Sequence, residues 1–162
     1  LVDPTDVDER CSLPGKTPGE LALCLARQKA EVAYSRHPDT LVLAADTLVA
    51  CGRRVLMKAV DSKEAQAFLS LLSGRRHRVH TGLCLIGSGT MHQRLVTTVV
   101  QLKRLTGQEI QRYVESKEWE GKAGAYAIQG RAGVFVKAIN GSYSNVVGLP
   151  LYETYLLLTN FG

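Results

Sequence analysis

The stretch Leu41-Val42-Leu43-Ala44-Ala45-Asp46-Thr47-Leu48-Val49 decides the fold. Seven of its nine residues are apolar and almost none alternates with a polar one, which is the pattern of a strand covered on both faces. Asp46 and Thr47 interrupt the run near its carboxyl end. A carboxylate inside such a strand is costly unless it is paired, hydrogen-bonded or bound to a metal. In open α/β sheets that end of a strand is also where ligands bind. A plainer reading stands beside this one: Asp46 ends the strand and caps a turn. The residues on either side have to separate the two.

Composition narrows the field. A chain of 162 residues, 45% hydrophobic and 22% charged, can bury the core of one domain, here taken as residues 1–162. No apolar run approaches the roughly 20 residues that span a bilayer, so a membrane is not expected as a partner. The opening Leu1-Val2-Asp3-Pro4-Thr5-Asp6-Val7-Asp8-Glu9-Arg10 is no signal peptide. Cys11, Cys24, Cys51 and Cys84 are scattered without a CxxC pair, which predicts reduced thiols and a cytoplasmic setting. A formal charge of +5 suits an anionic small molecule such as a nucleotide, or weak contact with nucleic acid, and separates neither.

Upstream of the strand, Thr17-Pro18-Gly19-Glu20 is a helix start with a capping threonine, proline at the first position and glutamate three residues on. The helix is predicted to reach about Tyr34 and carries Lys29 late in its length. That lysine either complements the helix dipole or faces a phosphate. The acidic residues Asp3, Asp6, Asp8 and Glu9 read as a solvated loop or as oxygen donors to a hard cation.

Downstream, Cys51-Gly52-Arg53-Arg54 predicts a hairpin whose return strand, Val55-Leu56-Met57, brings Lys58 beside Asp46. Asp61-Ser62-Lys63-Glu64 starts a second helix that ends at Gly74. Arg75-Arg76-His77-Arg78 is the densest basic cluster and reads as a solvated turn. It has no interleaved aromatic residues to stack bases, so nucleic acid is not the expected partner. Val79 to Ile86 and Met91 to Leu102 read as strands joined by Gly87-Ser88-Gly89-Thr90. Thr106-Gly107-Gln108-Glu109 opens a third helix. Gly121-Lys122-Ala123-Gly124-Ala125-Tyr126-Ala127-Ile128-Gln129-Gly130 then sets glycines around specific polar residues. Glycines allow close backbone approach and offer amide donors to anions, Lys122 adds charge, and Gln129 can read a base edge. A strand from Val134 to Ile139, a turn at Asn140-Gly141-Ser142 and a final helix to about Leu158 complete the chain. The irregular alternation predicts an α/β fold with a mixed sheet and flanking helices.

These residues resemble one family. Ala45-Asp46-Thr47 with Lys58, Leu72-Ser73-Gly74, His80-Thr81-Gly82, the Lys122 to Gly130 block and Gly141-Ser142-Tyr143 through Val146-Val147-Gly148-Leu149-Pro150 are similar to Maf proteins, nucleoside triphosphate pyrophosphatases also described as septum-formation inhibitors. The resemblance implies two lobes around a deep central cleft, as in inosine triphosphate pyrophosphatases. It implies hydrolysis of the α–β phosphoanhydride with Mg²⁺ or Mn²⁺, house-cleaning of the nucleotide pool, and leaves a homodimer open. Ala45-Asp46-Thr47 with Ala125 to Gly130 is similar to the dTTP/UTP branch, and the 7-methyl-GTP branch differs at Ile128-Gln129-Gly130. By this match Asp46 is the proton acceptor or a metal ligand, with Glu9 a second ligand and Lys58 a catalytic partner. Thr47 and Gln129 are specificity positions, and Lys122 and Lys29 bind substrate.

The family's Ser-x-Ser-Pro-Arg-Arg segment has no counterpart here, an expected shortfall of roughly 25 to 30 residues by the size of a strand and helix start. Leu56-Met57-Lys58-Ala59 stands where the family has Leu-Gly-Lys-Pro. The rival readings are the same reaction on 7-methyl-GTP, and a non-catalytic regulator of cell division that binds nucleotide or nucleic acid.

Overall fold

Five strands, β1 (Val42–Cys51), β2 (Arg54–Leu56), β3 (Arg76–Gly87), β4 (Thr90–Leu102) and β5 (Val136–Asn140), form one sheet in the order β2-β1-β3-β4-β5. The structure, a computed structural model, describes residues 2–5, 7 and 15–161. The expectations placed on Glu9 and Cys11 lie outside those residues. The α/β class and the flanking helices are as expected. The expected mixture of strand orientations is not: all four ladders between the described strands are antiparallel. The cause is local. Gly52-Arg53 joins β1 to β2 and Ser88-Gly89 joins β3 to β4, and a two-residue connection can only reverse the chain. Ser88 (φ 47°) and Gly89 (φ 75°) both adopt the left-handed backbone that such a hairpin turn requires.

Five helices pack on this sheet: α1 (Pro18–Arg36), α2 (Ser62–Leu72), α3 (Gly107–Glu115), α4 (Tyr143–Val147) and α5 (Leu151–Thr159). Thr17 with Glu20, and Thr106 with Glu109, close reciprocal capping boxes at the starts of α1 and α3, and Asp61 caps α2. No helix among the described residues is long and apolar enough to cross a membrane.

Alternation along β1 sorts its neighbours. Leu48 packs with Leu21, Ala22 and Leu25 of α1, and Val42 and Ala44 lie against Ala26 and Ala30. On the other face, Leu43 and Ala45 meet Leu157 of α5, while Val49 enters the largest core cluster with α2, α3 and the 119–135 segment. Helices therefore cover both faces, although residues 42–45 are only half-buried. Asp46 sits in the middle of β1 and not near its end, because the strand continues to Cys51.

Two local expectations change. Arg75 to Arg78 is no solvated turn: β3 begins at Arg76, so the side chains alternate, leaving Arg76 and Arg78 exposed and His77 buried. Val134 falls in a 3-10 turn, Arg131–Phe135, and strand β5 starts two residues later than expected.

Candidate active site

The site is built on the position opposite Asp46. In the β1–β3 ladder Asp46 faces Gly82. A Cβ at Gly82 would lie 2.5 Å from the Ala22 carbonyl oxygen and 2.6 Å from Leu23 Cα. Only bare backbone lets α1 lie this close to the sheet. Lys29, two helical turns beyond Ala22, then reaches Asp46, and its ammonium donates to Asp46 Oδ1. The pair is largely shielded, with side-chain exposures of 18% for Lys29 and 6% for Asp46. This pairing answers the burial cost of the carboxylate and sets aside its role as a strand-ending cap. It also sets aside a dipole-complementing role for Lys29, since Arg36 occupies the last turn of α1.

The neighbouring side chain, Thr47, points to the opposite face. Its Oγ1 lies 2.8 Å from Thr81 Oγ1 and donates to the Gly148 carbonyl at 3.4 Å. The segment carrying Gly148 is anchored by Asn145, which is fully buried. Asn145 Nδ2 lies within hydrogen-bond reach of Val79 O (3.2 Å), Val96 O (3.4 Å) and Thr98 Oγ1 (2.9 Å). Ser142 caps the short α4 by accepting from the Asn145 amide.

The glycine-rich segment forms the facing wall. Gly124 has φ 69°, and a Cβ there would come within 2.8 Å of Val49 Cγ1. Its amide donates to the Leu56 carbonyl at 3.0 Å, and Lys58 bridges Ala123. The amides of Lys122, Ala125 and Gly130 are likewise taken by protein carbonyls, and that of Ala127 by Tyr113 Oη. Five of this segment's amides are thus taken up by internal bonds, and its polar side chains Lys122 and Gln129 line the site.

Between these elements lies a cavity of about 280 Å³. Lys29, Asp46, Thr47, Lys58, Lys122 and Gln129 all line it, so six of the expected site residues come together from four separate parts of the chain. Tyr126, Met57 and the Val146–Gly148 backbone line it too. Those positions carried no role in the sequence analysis. Tyr126 and Val146–Gly148 fall within the blocks that carry the family resemblance, which is the signal that marks them. Asp46 is the one carboxylate among the described lining residues, and it faces three lysines. Arg76 and Arg78 do not line this cavity.

The Maf-like protein family profile matches residues 1–161. This chain belongs to that family. It is 55% identical, over 100% of its length and 85% of the relative's, to the dTTP/UTP pyrophosphatase of Paramagnetospirillum magneticum. The dTTP/UTP pyrophosphatase of Maricaulis maris is 52% identical, with 99% of this chain and 77% of that protein aligned. The nucleoside triphosphate pyrophosphatase of Ehrlichia canis is 48% identical over 96% of this chain and 81% of its own.

One buried group beside the site of this Maf-family chain titrates abnormally. His77, 2% exposed, has its pKa lowered to about 4 by burial. An unfolded chain takes up that proton near pH 6.5, so the unfolded state binds more protons between those values. Stability is therefore full above about pH 6.5 and falls as pH drops towards 4, by about 3 kcal/mol from this group. Urea midpoints from pH 7 to pH 4.5 check it. The wild type should lose stability more steeply than His77→Gln, and parallel slopes would contradict the assignment.

Proposed function

We propose that this protein hydrolyses nucleoside triphosphates, dTTP and UTP foremost, at the α–β phosphoanhydride to give a nucleoside monophosphate and pyrophosphate. The supporting observation is the cavity's charge pattern: one shielded carboxylate set among Lys29, Lys58 and Lys122, with an amide side chain, Gln129, on the same wall as Lys122. Attack by water on a phosphorus between anionic oxygens needs that negative charge offset and the nucleophile held in line. Lys58 and Lys122 offset charge on the phosphates. Asp46 orients the water and accepts its proton. Lys29 holds the Asp46 carboxylate in place from α1. Gln129 reads the base edge, and Thr47, tied to Thr81 and Gly148, sets the depth of the floor on which the base rests.

A divalent ion fits the donor set in one way. No group of three His, Cys, Asp or Glu residues able to hold a metal occurs among the described residues. Asp46 is the hard oxygen donor that the described lining residues offer, and it suits Mg²⁺ or Mn²⁺ shared with substrate phosphates. Such an ion, when bound, would neutralise charge on the phosphates.

The test is pyrophosphate release from a panel of nucleoside triphosphates and 7-methyl-GTP, with Mg²⁺, with Mn²⁺ and with chelator. The expected outcome is turnover of dTTP and UTP well above the purine nucleotides, and its loss with chelator. Preference for 7-methyl-GTP would move the chain to another branch. No release from any of them, with the fold intact, would overturn the catalytic reading.

A further inference from the structure

His77 projects from β3 into the core beside the 121–130 wall. Its Nε2 lies 2.6 Å from Tyr126 Oη, and the two rings meet edge to face at 85° with centroids 5.4 Å apart. Among the described residues this is the one side-chain hydrogen bond between that wall and the sheet. Other ties are the backbone bonds of Gly124 to Leu56 and Met57 and the bridge of Ala123 to Lys58 just beyond β2. Ala125, Tyr126 and Ile128 also pack with Val49, Val79 and Val100, and none of these ties fixes a side chain's direction. Tyr126 also lines the cavity, midway between Lys122 and Gln129.

The pair is a poor choice for stability alone. His77 Nδ1 is buried with no hydrogen-bond partner, and a buried unpaired polar atom carries a desolvation cost. Replacing both members of such a pair by apolar groups of similar shape is often neutral or stabilising. A phenylalanine pair would fill the same space without the orphaned nitrogen. What it would lack is directionality: an O–H to N bond fixes where the phenol sits, whereas apolar packing tolerates sliding.

We propose that His77 is a positioning residue of the nucleotide site, which acts through Tyr126 to fix the distance between the Lys122–Gln129 wall and Asp46. This inference rests on the reading of the cavity as a nucleoside triphosphate site. His77 touches no substrate, and its effect passes entirely through the wall. The consequence falls on recognition more than on chemistry, because the wall carries the base-reading Gln129 and the phosphate-binding Lys122, while Asp46 belongs to the sheet.

The experiment compares Tyr126→Phe, His77→Phe, the double variant and His77→Gln with wild type at pH 7.5. Two readouts are used: KM and kcat for dTTP and dGTP, and amide exchange over residues 122–130. Each single variant is expected to raise KM for dTTP about three- to tenfold with kcat nearly unchanged, and to narrow the dTTP-over-dGTP preference by a similar factor. The double variant should lose no more than either single one, because both remove the same bond. His77→Gln, whose amide can still bond the phenol, should recover part of the loss. Exchange should quicken over 122–130 and stay unchanged in α1. Unaltered exchange in Tyr126→Phe, which deletes only the hydroxyl, would overturn the proposal whatever the activity. Additive losses in the double variant would overturn it as well. A wild type that turns over no triphosphate would refute the substrate assignment instead, and the exchange data would still decide the role of His77.

Discussion

Asp46→Asn is expected to lower pyrophosphate release from dTTP and UTP by about 10²–10⁴-fold, the usual contribution of a positioned proton acceptor. The variant keeps the size and shape of the side chain and removes its charge and basicity. Nucleotide affinity measured with chelator present should hold or rise, since the carboxylate it removes repels the phosphates that Lys58 and Lys122 attract. Calorimetric titration with dTTP alongside the activity assay separates the two effects. Lys29 pulls stability the other way: its ammonium, only 18% exposed, loses its carboxylate partner. A modest drop in the urea midpoint is therefore expected, and Lys29→Met combined with Asp46→Asn should recover some of it. A variant that binds dTTP and still turns it over within a fewfold of wild type would remove Asp46 from the chemistry.

The second large effect is structural. Gly82→Val should destabilise the protein by about 3 kcal/mol or more, the upper range for overpacking. The added Cβ collides with the Ala22 carbonyl and Leu23 Cα, which are backbone atoms that no rotamer change can move. Strand propensity argues the other way, because valine is favoured over glycine in a β-strand. The sign of the result therefore tests the close approach of α1 directly. In a chain of this size such a loss lowers Tm by roughly 6–12 °C. The clash also lifts α1 and with it Lys29, so nucleotide turnover should fall in whatever fraction remains folded. A midpoint equal to that of wild type would mean that α1 does not rest on bare backbone there.

Local chemistry was legible in the sequence wherever it was self-contained. Thr17 with Glu20 and Thr106 with Glu109 announce helix starts three residues apart, and the structure closes both boxes. The apolar run around Asp46 gives strand β1 for the same reason. Strand orientation is less legible: the alternation of helices and strands suggests a mixed sheet, while the two-residue turns at Gly52-Arg53 and Ser88-Gly89 fix two of the four ladders as antiparallel. The β1–β3 and β4–β5 ladders join strands whose connections run through helices and carry no such signal. His77 was masked by its neighbours: three arginines around it suggest solvent, yet the two-residue period of a strand turns every second side chain inward. The Lys29–Asp46 pair spans 17 positions and exists only because Gly82 admits the helix, so no local pattern reports it. The family resemblance brought the dispersed site residues together, and the cavity lining shows six of them sharing one space.

Asn145 has a bearing on how the molecule assembles. Its amide joins carbonyls 66 and 49 positions earlier in the chain, on two different strands. Those acceptors stand side by side only once β3 and β4 have paired, so the turn holding Gly148 cannot lock before the sheet exists. Contacts of such long sequence separation bear the loop-closure entropy late in folding. The floor of the nucleotide cavity should then be among the last parts to form. A refolding chain would acquire its secondary structure and hairpins well before it could hold a nucleotide, with the return of dTTP binding lagging the far-ultraviolet signal.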